Sequence, residues 1–386
     1  MGILGSGMSG IASLASQMGY QVSGWDLKLD GHDKNHLKVV DYLIVSPAVL
    51  YQNKKNPELV EGISRKIVLT WQELLGKYLM NNKKVIAISG THGKSTTTAM
   101  VAKILIDNGF DPSVVIGAYV PEWKGNSRFG KDKYFVVEAD EFNDNFLNYH
   151  PDIAVITNIE FDHPDYFKSE EQVTKSFEKF KKNLVGKKFL ITEKDSLNKH
   201  FNLKVFGEHN QKNANMAYLV GRQLKIKKEK IIKSLEAFKG IGRRMELLAE
   251  VNGIKVYDDY AHHPTAIKTT IEGLIEKYPN KKILVIVEPH GYKRTKALLT
   301  QYKNIFSSVN SVVIGPIFKA RDKVDKMITS KLVAETSKHP DIRTFTNESE
   351  LFDYCNLIIG HYHIVVFMGA GNSNLWAKQI LEALKN

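Results

Sequence analysis

The stretch that most constrains this chain is residues 83–98, KKVIAISGTHGKSTTT. Val85, Ile86, Ala87 and Ile88 form an unbroken apolar run, the pattern of a buried parallel strand. Gly90 to Gly93 then supply a tight turn, and no helix breaker follows Lys94 until Asp107-Asn108-Gly109. Strand, glycine turn and helix point backbone N–H groups and a helix N-terminus at one spot, an arrangement that binds phosphate. Lys94 would reach the β- and γ-phosphates, and the hydroxyl of Ser95 or Thr96 would hold Mg²⁺. The general GxxxxGK[ST] pattern wants glycine at position 88, where this chain has Ile88, so the loop is a shorter form, G-T-H-G-K-S-T. The run of hydroxyls after Gly93-Lys94 has little purpose in a merely solvated turn. A nucleotide site is expected.

A chain of 386 residues has room for two or three domains, because single cores stop growing near about 250–300 residues. No run approaches the roughly 20 apolar residues of a membrane span, and no signal peptide is visible. The single cysteine, Cys355, excludes an intramolecular disulfide and a multi-cysteine metal site, and suits a reducing, cytoplasmic setting. The net charge of +12 raises the question of nucleic acid. The lysines, however, are scattered along helices without a basic tract or interleaved aromatics, as on a solvated surface. Positive potential would also attract polyanionic small substrates.

Three α/β domains are expected, at 1–80, 81–240 and 241–386. The first opens with Gly5-Ser6-Gly7-Met8-Ser9-Gly10 leading into an apolar helix, Ile11–Met18, and then a strand, Gln21–Trp25, ending in Asp26. This is a Rossmann-type start, with Met1–Leu4 left for a short first strand and Asp26 placed to meet a ribose hydroxyl. Val39–Val45 supplies another strand, ending at Ser46-Pro47-Ala48. In the second domain, strands at Tyr134–Val137 and Ile153–Thr157 run into Glu138-Ala139-Asp140-Glu141 and Asn158-Ile159-Glu160-Phe161-Asp162-His163. In a parallel sheet both clusters would share an edge with the glycine turn and offer oxygen and nitrogen donors to Mg²⁺ on the phosphates. A strand at Leu203–Phe206 leads to Gly207-Glu208-His209-Asn210-Gln211-Lys212-Asn213 and a helix, Ala214–Leu224. That motif is either a helix cap or a reader of an adenine edge.

A linker near Lys239–Gly242 begins the third domain. After Arg243-Arg244, a hairpin over Glu246–Val256 turns at Asn252-Gly253. Tyr260-Ala261-His262-His263-Pro264-Thr265 then opens a helix. Strands at Lys282–Val287, Ser311–Gly315, Ile342–Thr346 and Ile364–Met368 alternate with helices, giving a second Rossmann-like sheet. His290, Arg294 and Thr295 follow one of these strands and suit a small anionic ligand, since guanidinium matches a carboxylate fork.

Six blocks, G-T-H-G-K-S-T (90–96), E-A-D-E (138–141), T-N-I-E-F-D-H (157–163), H-N-x-x-N (209–213), G-R-R (242–244) and D-D-Y-A-H-H-P-T (258–265), occur in this order across nearly the whole chain. Together they resemble the Mur ligase family of peptidoglycan synthesis. Within it, the G-x-G-M-S-G opening and P-H-x-Y-x-R-T (289–295) are similar to the branch that joins L-alanine to UDP-N-acetylmuramate. The resemblance implies a UDP-sugar domain, a central ATPase and a C-terminal amino-acid domain. It further implies ligation through an acyl phosphate, with ATP and two Mg²⁺ ions, by a monomer or homodimer without nucleic acid or membrane insertion. Residue by residue, it implies that Lys94, Glu138, Asn158 and His163 are catalytic, with Ser95, Glu138 and His163 at the metal. Gly90, Thr91, His92, Gly93, Lys94, Ser95, Thr96, His209, Asn210, Asn213, Arg244 and Asp259 would meet ATP. Gly5, Ser6, Gly7, Met8, Gly10, Asp26 and Ser46 would meet the UDP-sugar. His263, His290, Arg294 and Thr295 would hold the amino acid.

The pattern departs from that resemblance at Gly291, where many relatives carry Arg or Thr, and at Lys293, where they carry Thr. The stretch from Asp26 to Asp41 is also compact for the family. The nearest competing reading is a recycling ligase that attaches the intact L-alanyl-γ-D-glutamyl-diaminopimelate tripeptide. Glu288 before Pro289 leans toward it, and Arg294-Thr295 leans back toward free alanine.

Overall fold

The computed structural model describes the whole chain apart from Leu27, Asp30, Pro47, Ala48, Tyr51, Gln52, Asn386 and the side chain of Ser6. The expectations for Ser6, Pro47 and Ala48 lie outside the described residues. The chain folds as two compact units, residues 1–159 with 174–197 and 214–235, and residues 160–173 with 198–213 and 236–386.

The first unit contains β1 (Leu43–Val45), β2 (Val68–Thr70), β3 (Lys84–Ser89), β4 (Ser113–Val120), β5 (Gly125–Arg128), β6 (Tyr134–Glu138), β7 (Ile153–Ile156) and β8 (Phe189–Thr192). β1 and β2 form a small parallel pair. The other six make a sheet of order β5-β4-β6-β3-β7-β8, parallel except for the β4–β5 edge hairpin. β3 lies between β6 and β7, so the ends of all three strands open on one sheet edge. The central strands are buried on both faces, which their apolar β-branched composition requires.

The second unit contains β9 (Glu246–Val251), β10 (Ile254–Asp259), β11 (Ile283–Val287), β12 (Ser311–Ile314), β13 (Ile342–Thr344) and β14 (Ile364–Met368). Their order is β13-β12-β11-β14-β10-β9, parallel except for the β9–β10 hairpin, with Asn252 and Gly253 both at positive φ in its turn. One apolar layer packs around Ile267, Ile271 and Phe306, and another around Trp376, Leu351 and Cys355.

Three expected strands do not form. Met1–Leu4 and Gln21–Trp25 are held by two bonds, from the Gly2 and Ile3 N–H groups to the Trp25 carbonyl, too few for a ladder. Gly24 leaves its Cβ position to the Ile3 side chain, so the two segments touch through side chains instead. Leu203–Phe206 is likewise irregular. Its approach is pinned by the Gln211 amide, which bonds both the N–H and the C=O of Phe201. β2, β4, β5 and β8 add to the strands expected from the sequence. Gly117 interrupts the apolar run of β4, and the polar Gly125–Arg128 becomes a strand through its pairing with β4.

Candidate active-site residues

In the first unit the glycine turn is clamped from β7. Thr157 donates its hydroxyl to the carbonyls of His92 (2.5 Å) and Ser89 (3.2 Å). The Asn158 amide accepts from the His92 N–H at 2.9 Å and donates to the His92 carbonyl at 3.0 Å. Gly90, at φ 129°, sits so close to Thr157 that a Cβ would lie 2.1 Å from its hydroxyl. The loop therefore needs a bare backbone at 90, and Asn158 has a positioning role that its sequence motif did not reveal.

Lys94 opens the helix Lys94–Asp107 and bends back over the turn. Its ammonium donates to the Gly90 carbonyl (2.6 Å) and to Glu141 (2.8 Å). Burial works against its charge, yet Glu141, Asp140 and Glu138 together raise its pKa above the ordinary lysine value. Burial pushes the Glu141 carboxyl up to about 7 in spite of Lys94. The direct partner of the lysine is thus Glu141, overlooked in the sequence because Glu138 heads the same E-A-D-E block. Glu138 ends β6 and accepts from the Gly117 N–H at 2.7 Å. Its two oxygens lie 3.0 and 3.2 Å from where a Gly117 Cβ would be. Ser95, Thr96 and Thr91 are buried around the turn.

The first-unit fingerprint makes contacts within its own unit. Gly5 caps the helix Ser6–Gln17, and Met8 is buried. Gly10 is where that helix meets β5: a Cβ would strike the Asn126 side chain at 2.1 Å, and the Ser127 hydroxyl donates to the Gly10 carbonyl. Gly7 faces open space. Asp26 accepts from the N–H groups of Leu4 and Lys28, fixing the loop, while Ser46 accepts through its carbonyl from the Val49 N–H.

In the second unit Arg294 is the centre of a buried polar cluster. Its Nε donates to Asp162 at 2.7 Å, Nη1 to His290 Nδ1 at 3.0 Å and Nη2 to His163 Nδ1 at 3.2 Å. Burial disfavours an ionised Asp162, but Arg294 and the neighbouring histidines hold its pKa well below the carboxylate range. Burial, Arg294 and Arg321 push His290 down to about 3, and His262 well below its usual value for similar reasons. Guanidinium can only donate, so in these contacts Nδ1 of both His290 and His163 is the acceptor. His163 takes a left-handed φ of 54°. Thr295 is buried, its hydroxyl without a partner among the described residues. His263 caps the helix Pro264–Lys277 through Nδ1 and meets the Phe161 carbonyl through Nε2.

On the same unit, His209 is half-buried, its buried Nδ1 is unpartnered among the described residues, and burial lowers its pKa. Asn210 donates to the Phe206 carbonyl and Asn213 to the Asn210 side-chain oxygen. A cleft of about 440 Å³, bordered by Phe201, Phe206, Glu208 and Glu276, opens at this helix start. Asp259 accepts from the Met245 and Ala261 N–H groups and so fixes the tight Arg243–Met245 turn, with Arg244 over the Tyr260 ring at 4.8 Å. Glu288 accepts from the N–H groups of Gly371, Asn372 and Ser373 and caps the last helix.

Two family models match the chain, the Mur ligase middle domain over residues 88–201 and the Mur ligase, glutamate ligase domain over 243–371. A UDP-N-acetylmuramate–L-alanine ligase of Desulforapulum autotrophicum is 32% identical over 451 aligned positions, covering 100% of this chain and 98% of that protein. The chain belongs to the Mur ligase family. The long alignment for 386 residues means that this relative carries segments which the present Mur ligase lacks. The crystal structure of a UDP-N-acetylmuramate-alanine ligase from Thermotoga maritima superposes with a TM-score of 0.77 at 25% identity, covering 100% of this chain and 98% of that one. A murein peptide ligase from Psychrobacter arcticus shares the fold, with a TM-score of 0.67 at 22% identity and coverages of 100% and 98%. This Mur ligase has the mixed α/β architecture of those structures, and among its described residues no helix is long and apolar enough to cross a membrane.

Proposed function

We propose that this chain uses ATP to join L-alanine to UDP-N-acetylmuramate, releasing ADP and phosphate, as a step of peptidoglycan precursor synthesis. The observation that carries this reading is the full-length match, at 32% identity, to a ligase named for that reaction. The recycling ligase remains the weaker reading.

A carboxylate resists attack by an amine until one oxygen becomes a good leaving group. Transfer of the γ-phosphoryl group to the sugar carboxylate would make an acyl phosphate, and the amine would then displace phosphate. The transferring group spreads negative charge over its oxygens and needs fixed positive charge. Lys94 is held over the glycine turn for that purpose, with N–H groups of the clamped loop beside it. Magnesium, when bound, would neutralise charge on the phosphates. Ser95 and Glu138 fit that ion as hard oxygen donors, since Glu138 keeps lone pairs beyond the single bond from Gly117.

His209, Asn210, Asn213, Arg244 and Asp259 would serve the nucleotide, and the unpartnered Nδ1 of His209 supports a polar contact there. His290, Arg294 and Thr295 would hold the amino acid. We assign the UDP-sugar to residues 1–80, ATP to 81–240 and the amino acid to 241–386, in a cytoplasmic enzyme.

The test is phosphate release with ATP, Mg²⁺ and UDP-N-acetylmuramate, supplied with either L-alanine or the tripeptide. L-alanine-dependent release supports the proposal. Release with the tripeptide but not with alanine would overturn it.

A further inference from the structure

Arg294 is poorly placed to grip a carboxylate by itself. Each of its three nitrogens already donates to a protein acceptor, namely Asp162, His290 and His163. Of five N–H bonds, three are thus committed, and a bidentate fork needs two parallel ones on one edge. Gly291, the neighbouring loop position, offers no side chain, and at φ 76° with Asp322 close to its Cβ position it tolerates none easily.

The next loop supplies a second guanidinium. β11 and β12 are parallel neighbours, so the segments after them emerge side by side. Backbone pairing continues beyond the sheet: the Phe318 N–H donates to the Pro289 carbonyl and the Gly291 N–H to the Phe318 carbonyl, both at 2.8 Å. The His290 and Phe318 rings stack with centroids 5.3 Å apart. This register fixes the turn that carries Arg321, whose preceding residue, Ala320, takes the left-handed φ of 49° that alanine seldom adopts. Arg321 Nη2 lies 3.3 Å from Asp165 Oδ2, and its side chain is 40% exposed. The segment Asp162-His163-Pro164-Asp165 therefore clasps two arginines from two adjacent loops. The Asp162–Arg294 clasp is short and buried; the Asp165–Arg321 clasp is longer and open to solvent, and so exchanges more readily.

We propose that Arg321 is a specificity residue which leaves Asp165 and takes the carboxylate of the incoming amino acid, with Arg294 and neutral His290 forming the fixed wall of that pocket. This inference rests on the ligase reading above. A carboxylate held by Arg321 leaves the amine at the other end of a small amino acid free to act as nucleophile, and it selects against amines without an adjacent acid.

The experiment is steady-state kinetics of wild type, Arg321→Ala, Arg321→Lys and Asp165→Asn, with L-alanine and with L-alaninamide, whose charge at that end is gone. Arg321→Ala is expected to raise the KM for L-alanine by about tenfold or more while the KM for ATP holds, the loss of one charge-assisted contact. Arg321→Lys should recover only part, because it lacks the planar fork. Asp165→Asn should leave the KM for alanine unchanged or lower it. Turnover of L-alaninamide should be weaker than that of L-alanine in wild type and unaffected by Arg321→Ala. An unchanged KM for L-alanine in Arg321→Ala, or an equal rise for ATP, overturns the inference alone. No alanine-dependent turnover in wild type overturns both it and the ligase reading.

Discussion

Replacing Asp162 by asparagine keeps the shape and the oxygen that accepts from the His163 N–H, yet removes the charge that balances Arg294. Arg294 is 9% exposed, so its guanidinium has little access to water once the partner is neutral. Removing one partner of a buried pair costs about 3–5 kcal/mol, because the remaining charge stays desolvated. For a folded unit of roughly 150–250 residues, that lowers the unfolding temperature by about 6–20 °C. Scanning calorimetry of wild type, Asp162→Asn, Arg294→Met and the double variant reads this directly. The double variant should recover most of the loss, since no unpaired charge is left behind. The pH dependence has a definite sign. The folded-state pKa of Asp162 is depressed, so its stabilisation is present above the ordinary carboxylate pKa and is lost as pH falls toward the lower folded value. A shift of less than about 2 °C in Asp162→Asn, or a double variant as unstable as the singles, would refute the idea of an energetically coupled buried pair.

Lys94→Ala should lower kcat by at least about 10²–10³-fold while calorimetric binding of the UDP-sugar persists; joint loss would mean that the two sites are not separate. Glu141 is raised to about 7, so the folded state keeps a proton that the unfolded state has released, and stability falls as pH rises from the ordinary glutamate range to about 7. Glu141→Gln should flatten that slope of melting temperature against pH, and identical slopes would count against it. Gly117→Ala places a Cβ against the Glu138 carboxylate, and should raise the Mg²⁺ concentration needed for half-maximal turnover while nucleotide binding is retained. An unchanged Mg²⁺ requirement would remove Glu138 from the metal site.

Much of the site was legible as local pattern. The apolar run of β3, the glycines at 90 and 93 and the hydroxyls after Lys94 declare a strand, a turn and a helix, because each is set by neighbours in the chain. The same holds for the Asn252-Gly253 hairpin and for the strand before His290. Partnership was not legible. That Lys94 answers to Glu141, Arg294 to Asp162 and Arg321 to Asp165 depends on distances across 47, 132 and 156 positions of sequence, which no local periodicity encodes.

The sequence by itself determined the element types and the residue chemistry near each strand end, since propensity and side-chain period act over a few residues. Tertiary structure decided which candidates also hold the fold. Asn158 clamps a loop, Gly10 admits a strand and Asp259 pins a turn, because a buried polar group must find a partner wherever the packing places one. It also decided that the segments around Met1–Leu4 and Gln21–Trp25 stay irregular, as a strand needs a neighbour to pair with, and that neighbour is a property of the whole fold.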